Sequence, residues 1–119
     1  MATDLDTGRP ARNLTTPDLL AIASVIVGRM DQDADYMPYV RVGVSTSVIG
    51  LSIEMGIDQR PGKASHTQGA AFLNDLAQAV NTPVYDPQNF HIAFLSCPDW
   101  EGAGVQVHAQ AAVRDEKSA

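Results

Sequence analysis

The sequence predicts an α+β fold, a two-layer sandwich in which two helices cover one face of a four-stranded sheet. Three observations predict it. Apolar residues recur at helical spacing over residues 19–30 and again over 72–80. Residues alternate with period two over 39–57 and over 90–113, each stretch interrupted once by a turn. The order is therefore α-β-β-α-β-β, and strands that alternate strictly bury one face only.

The first helix opens at Thr16-Pro17-Asp18, where Thr16 can cap, Pro17 suits the first turn and Asp18 complements the positive helix end. Leu19, Ile22, Ala23, Ile26 and Met30 form its stripe, while Leu20, Val25 and Val27 make it apolar on other sides too. Such a helix is central in its domain or covered by an oligomer partner. After an acidic loop, Val40, Val42 and Val44 alternate with Tyr39, Arg41, Gly43 and Ser45. Leu51, Ile53, Met55 and Ile57 then alternate with Gly50, Ser52, Glu54 and Gly56, so a hairpin turning at Thr46-Ser47-Val48 is expected. Ser65 and Gln68 have capping-box spacing ahead of Phe72, Leu73, Leu76 and Val80, and Asn81-Thr82-Pro83 stops the second helix. The last hairpin pairs Phe90, Ile92 and Phe94, alternating with His91, Ala93 and Leu95, with a strand beginning at Val105. Strand order stays open: the strand at 50–57 and the one at 90–95 run parallel if adjacent through a right-handed crossover, and a central pairing of outer strands gives a different sheet.

The 119 residues suffice for one core, expected over 14–114 between a flexible tail at 1–13 and a short charged tail at 115–119. The net charge of −6 opposes direct nucleic-acid binding, which needs a cationic footprint, and opposes anionic membranes. A basic protein surface is favoured instead. The longest uncharged apolar stretch, 19–28, is about half of a bilayer span, and the single cysteine, Cys97, fits a reducing compartment. The expected location is cytoplasmic. Six Arg against two Lys suggests a GC-rich bacterial or phage genome.

With the valine and phenylalanine positions turned to the helices, the other sheet face carries Tyr39, Arg41, Glu54, His91, Gln106, His108 and Gln110 among small residues. It bears few charges for a solvated sheet, and two readings stay open: a contact surface, or a plain wet face. Asp31, Asp33 and Asp35, with Tyr36 and Tyr39 beside them, suit recognition of an Arg-rich partner. Trp100, at the tip of the last hairpin, is either tucked onto the domain as a lid or exposed as an interface anchor.

Motifs of chemistry fall short of their patterns. His91 and His108 would share a face and approach closely enough for a metal ion, but a third ligand is missing. Asp31-Gln32-Asp33-Ala34-Asp35 begins like a calcium loop, yet Tyr36 stands where the turn glycine belongs and Val42 where the closing carboxylate belongs. Gly62-Lys63-Ala64-Ser65 lacks the first glycine and the magnesium hydroxyl of a phosphate loop. Gln59-Arg60-Pro61-Gly62-Lys63-Ala64 resembles the pyrophosphate loop of acyl-CoA-dependent N-acetyltransferases, a resemblance that implies backbone amides from Gly62 to Ala64 around the pyrophosphate. Polar Ser65, His66 and Thr67 depart from that family, and no helix follows the next strand. Cys97 has no basic neighbour along its strand to activate it.

The functional expectation is a small acidic, non-enzymatic protein-binding module without metal or cofactor. A phage or mobile-element inhibitor of a host nucleic-acid-handling complex, as anti-CRISPR proteins are, fits that description. A homo-oligomeric structural subunit, dimeric or larger, and a small-ligand or acyl-CoA-binding enzyme are the alternatives.

Overall fold

The computed structural model describes residues 14–47 and 50–116. The expected tail at 1–13, the end of the C-terminal tail at 117–119 and the hairpin residues Val48 and Ile49 lie outside them. The elements are α1 (Thr16–Gly28), β1 (Val40–Ser47), β2 (Gly50–Ile57), α2 (His66–Val80), β3 (Ile92–Cys97) and β4 (Val105–Ala112). The order is the expected one, with two helices on a four-stranded sheet.

Local chemistry sets the helix ends. Thr15, one residue earlier than expected, caps α1: its hydroxyl accepts from the Asp18 N–H while the Asp18 carboxylate accepts from the Thr15 N–H at 2.8 Å. Pro17 sits in the first turn, where no helical bond is required of it. Ser65 and Gln68 form the expected box at α2, and Asn81 ends that helix in the left-handed conformation (φ 54°).

The sheet runs β1-β2-β4-β3. β1 and β2 are antiparallel, pairing Val42 with Met55 and Val44 with Ile53. β1 continues through Thr46 and Ser47, two of the three residues expected to turn, and the third, Val48, is outside the described residues. β4 inserts beside β2 in parallel and carries β3 on its far side, so β2 and β3 are not neighbours. The reason is compositional: Val105, Val107, Ala109 and Ala111 are buried, which suits a central strand.

The core lies between sheet and helices. Leu19, Ile22, Ala23 and Ile26 of α1 and Phe72, Leu73, Leu76 and Val80 of α2 press on Leu51, Ile53, Met55 and the buried β4 residues. Tyr36 plugs the same layer, its ring edge-on to Phe72 at 6.0 Å and its hydroxyl donating to Asp75 Oδ2 at 2.5 Å. α2 approaches β4 closely at Gly69, where an added Cβ would stand 2.6 Å from the Ala112 carbonyl oxygen. Gln59 closes this junction. Its amide donates to the Ala112 C=O at 2.8 Å and accepts from the Ala112 N–H at 2.9 Å, completing the end of β4 as a strand would.

One strand has the opposite phase from the expected one. Ala93, Leu95 and Cys97 face the helices, opposite Ala111, Ala109 and Val107. Ile92, Phe94 and Ser96 take the open face. Both alternating sets in β3 are apolar, so alternation alone does not choose between them. The burial of β4 decides. Beyond β3, Tyr85 and Phe94 exchange two backbone hydrogen bonds, at 2.8 and 2.9 Å, and their rings stack at 6.4 Å. Arg114 holds this strap by a two-pronged pair with Asp86, at 2.8 and 2.9 Å, and by the Phe90 carbonyl.

Candidate functional site

The open face of the sheet is built from cross-strand rows. Arg41 lies opposite Gly56, and Gly43 opposite Glu54. Glu54 is level with His108, and His108 with Ser96; Phe94 is opposite Gln110. Because Gly43 and Gly56 lack side chains, the surface sinks around Glu54. The resulting groove, about 660 Å³, is bounded by Arg41, Glu54, Phe94, Ser96, His108 and Gln110. A Cβ on either glycine would meet nothing within 4 Å, so the depression is open to solvent and not filled by neighbours.

Charge in the groove is unevenly satisfied. Arg41 donates to Asp58 at 3.3 Å, and Asp58 also accepts from Arg60 Nη2 at 2.7 Å. The Arg60 side-chain bond, then its backbone N–H, hold the Asp58 carboxyl well below the usual carboxylate range, with Arg41 adding attraction. Glu54 is exposed and has no hydrogen-bond or ion-pair partner among the described residues. His108 is fixed on both sides, Nδ1 by the Ser96 hydroxyl at 3.2 Å and Nε2 by Gln106 Oε1 at 2.9 Å. The Ser96–His108 contact pairs a hydroxyl with an imidazole. The neighbouring backbone N–H groups lie in the sheet plane, however, so none converges on a point above Ser96 where an oxyanion would sit.

The expected contact residues divide into three groups. Arg41, Glu54, Gln106, His108 and Gln110 are together on the open face. Asp31, Asp33 and Asp35 are exposed on the loop after α1, and Tyr39 is half-buried at the entrance to β1. Tyr36, Trp100 and His91 are elsewhere. Tyr36 is 1% exposed, and burial first, then its bond to Asp75, hold its phenol above the usual range. Trp100 is buried under the Arg29 guanidinium, 5.6 Å from the ring centre, so it is the lid and not the exposed anchor. Arg29 also bonds the Ala79 carbonyl at 3.2 Å and pairs with Glu101. His91 precedes β3 and packs against Phe90 at 4.5 Å, whereas the residue opposite His108 is Ser96; the two histidines do not meet. Among the described residues no three His, Cys, Asp or Glu side chains are grouped for a metal ion.

Two of the three amides in the loop that resembles an acyl-CoA site are already bonded within the chain. The Lys63 N–H donates to the Arg60 C=O and the Ala64 N–H to the Asp58 C=O, both at 2.9 Å, and the Gln59 side chain is committed to Ala112. Those amides are not presented to a pyrophosphate. Sequence reasoning missed Phe94 and Ser96 as open-face residues. The signal that finds them is the uninterrupted buried set of β4, which fixes the phase of its neighbour.

No family model, curated protein or solved structure matches the chain. Among the described residues no helix is long and apolar enough to cross a membrane.

Proposed function

We propose that the chain is a small acidic protein-binding module whose open sheet face receives a basic side chain of its partner. The observation that carries this reading is the unpartnered Glu54 carboxylate in a groove floored by Gly43 and Gly56. A lysine or arginine inserted there meets one carboxylate, with Gln110 of β4 and Phe94 and Ser96 of β3 all on the flank away from β1. Arg41 is paired with Asp58, a carboxylate it shares with Arg60, so its repulsion of the incoming cation is only partly offset. The exposed acids of the 31–35 loop and the net charge of −6 add long-range attraction to a basic surface. Surfaces of that kind ordinarily hold nucleic acid. An inhibitor that occupies such a surface on a host nucleic-acid-handling complex is the biological role we infer.

The test uses the full chain, isotope-labelled, titrated with an oligoarginine peptide at low salt. Amide shifts centred on Gly43, Glu54 and Gly56, and an affinity at least about tenfold weaker for Glu54→Gln, are expected. Shifts confined to 31–35, or none, would refute the groove as the contact. Co-purification with nucleic-acid-handling complexes, lost in Glu54→Gln, tests the biological role separately.

A further inference from the structure

We infer that two copies of this chain pair through β1, antiparallel about a two-fold axis at Val44, into one continuous eight-stranded sheet. The proposal is independent of what the open face binds. It starts from the two edges of the sheet, which differ. The middle of the β3 edge is taken by the Tyr85–Phe94 bridge, held by Arg114 and Asp86. The β1 edge has no such cover among the described residues, no proline, and one charge, Arg41. Natural edge strands of this length are usually shortened, charged or covered, because their free N–H and C=O groups pair with any available strand.

The ladder shows which groups are free. The Tyr39 carbonyl accepts from the Asp58 N–H at 2.8 Å, so that pair is hydrogen-bonded. Bonded and non-bonded pairs alternate along an antiparallel ladder. Arg41, Gly43 and Ser45 therefore aim their backbone groups at β2, while Val42, Val44 and Thr46 aim theirs outward. The Val40 N–H, also outward, is already bonded to the Met37 carbonyl, which closes that end. The free stretch is thus Val42–Thr46, and its midpoint is Val44. Antiparallel pairing about that midpoint sets Val44 against its symmetry mate and Val42 against Thr46, and keeps the two Arg41 side chains apart.

The helix layer argues for the same occupant. Val42, Val44 and Thr46 point to the helix side, like Met55, Ile53 and Leu51 opposite them, yet α1 leaves Val42 41% exposed and Thr46 exposed. α1 lies over β1 and β2. With strands about 4.8 Å apart, a second copy would bring its α1 to about 10 Å, a normal helix-packing distance. From Leu19 to Gly28 that helix has no charged residue, and on the two flanks of its buried stripe, about 140° apart around the axis, it shows Leu20 at 51% and Val25 at 47% exposed, so that one of them faces the neighbouring helix. A surface without acids or bases attracts neither a basic nor an acidic partner. Two chains of charge −6 meet no local charge repulsion there, and the edge is self-complementary in donors and acceptors. The two open faces would then lie on the same side of the joined sheet, which gives a bivalent grip on any repeated partner.

Sedimentation of the full chain across micromolar to millimolar concentration tests the pairing. A mass of twice 12.7 kDa is expected. Val44→Pro removes an outward N–H together with a half-buried valine side chain, and Leu20→Glu with Val25→Glu charges both flanks of the helix; each should weaken association at least about tenfold with the fold kept, checked by circular dichroism. Val44→Cys should form a covalent dimer under mild oxidation, since symmetry-mated residues are about 5.5 Å apart at Cα, whereas Val42→Cys should not. A monomer at all concentrations overturns the proposal. A dimer untouched by both the helix and edge variants, or cross-linked through Val42 and not Val44, overturns it too.

Discussion

Gly69→Ala tests the close approach of α2 to the end of β4. At an exposed helical position this change would stabilise by about 1 kcal/mol, the difference in helix propensity. At Gly69 the new methyl would stand 2.6 Å from the Ala112 carbonyl oxygen, 2.5 Å from Gln59 Nε2 and 3.3 Å from Ala111 Cβ. Ordinary contact begins near 3.5 Å, so α2 must retreat by about 1 Å, or the end of β4 must give way. Overpacking of this kind costs about 1–3 kcal/mol. Displacing Gln59 would also free the Ala112 N–H and C=O, at about 1–3 kcal/mol for each buried group left unpaired. After the propensity gain, a net loss of at least about 2 kcal/mol is expected. In a domain of this size it lowers the thermal midpoint by about 10 °C or more. Thermal unfolding followed by circular dichroism reads it. Gly28→Ala is the control: an added Cβ there meets nothing within 4 Å, and a gain of up to about 1 kcal/mol is expected. A double-mutant cycle with Gln59→Ala should show coupling of about 1 kcal/mol, because the smaller side chain removes one of the two clashes. If Gly69→Ala raised the midpoint as Gly28→Ala does, the account of the α2–β4 junction would be wrong.

Three further changes follow from the ion pairs and the buried phenol. Asp58 has a folded-state pKa held below its unfolded value, so its stabilisation is complete above about pH 4 and is lost as pH falls through the folded pKa. Asp58→Asn should therefore be less stable than the parent at neutral pH, with the gap in urea midpoint narrowing only below about pH 4. Tyr36 is shifted the other way, so its contribution is full below about pH 10 and lost above. Tyr36→Phe should cost about 1–2 kcal/mol at neutral pH, and in the parent the Tyr36 phenolate absorbance should develop only together with unfolding. Arg114→Ala should release the strap at 85–90 while leaving the sheet folded, read as faster hydrogen exchange at the Tyr85 and Phe94 amides at a cost of about 1–3 kcal/mol.

What the sequence revealed and what it hid have physical reasons. The second helix was legible end to end, because Ser65, Gln68 and Asn81 act on their own neighbours in the chain. The first hairpin was legible because Val, Leu, Ile and Met alternate there with Gly, Ser, Arg and Glu. Its contribution to the open face, Arg41 and Glu54, was placed correctly for the same reason. Strand order was not legible, since β2-β4 contact joins residues more than fifty positions apart through no local signal. The work of Gln59 was hidden likewise: a polar loop residue gives no sign that its amide completes a distant strand. Trp100 and Tyr36 looked available because they sit among acids, but large aromatic areas are buried whenever a neighbouring layer leaves room.

The one face read backwards, β3, can be settled by two truncations. Phe94 and Leu95 are adjacent and both apolar, and a larger Phe would ordinarily be assigned to the core. The register says otherwise: Leu95 is opposite Ala109 and 2% exposed, while Phe94 is half-buried on the open face, stacked on Tyr85 at 6.4 Å. Leu95→Ala removes a side chain enclosed by the helix layer and should cost about 2–5 kcal/mol. Phe94→Ala loses one aromatic stack and part of a solvent-facing contact, about 1 kcal/mol or a little more, despite deleting the larger group. Urea midpoints with unchanged slope measure both. The order matters beyond stability, because Phe94 is the groove's aromatic flank. Phe94→Ala should therefore weaken oligoarginine binding where Leu95→Ala, at temperatures that keep it folded, should not. If Phe94 proved the costlier of the two, β3 would be turned over, His91 would return to the open face with Leu95 and Cys97 beside it, and the groove would lose the wall on which its proposed cation rests.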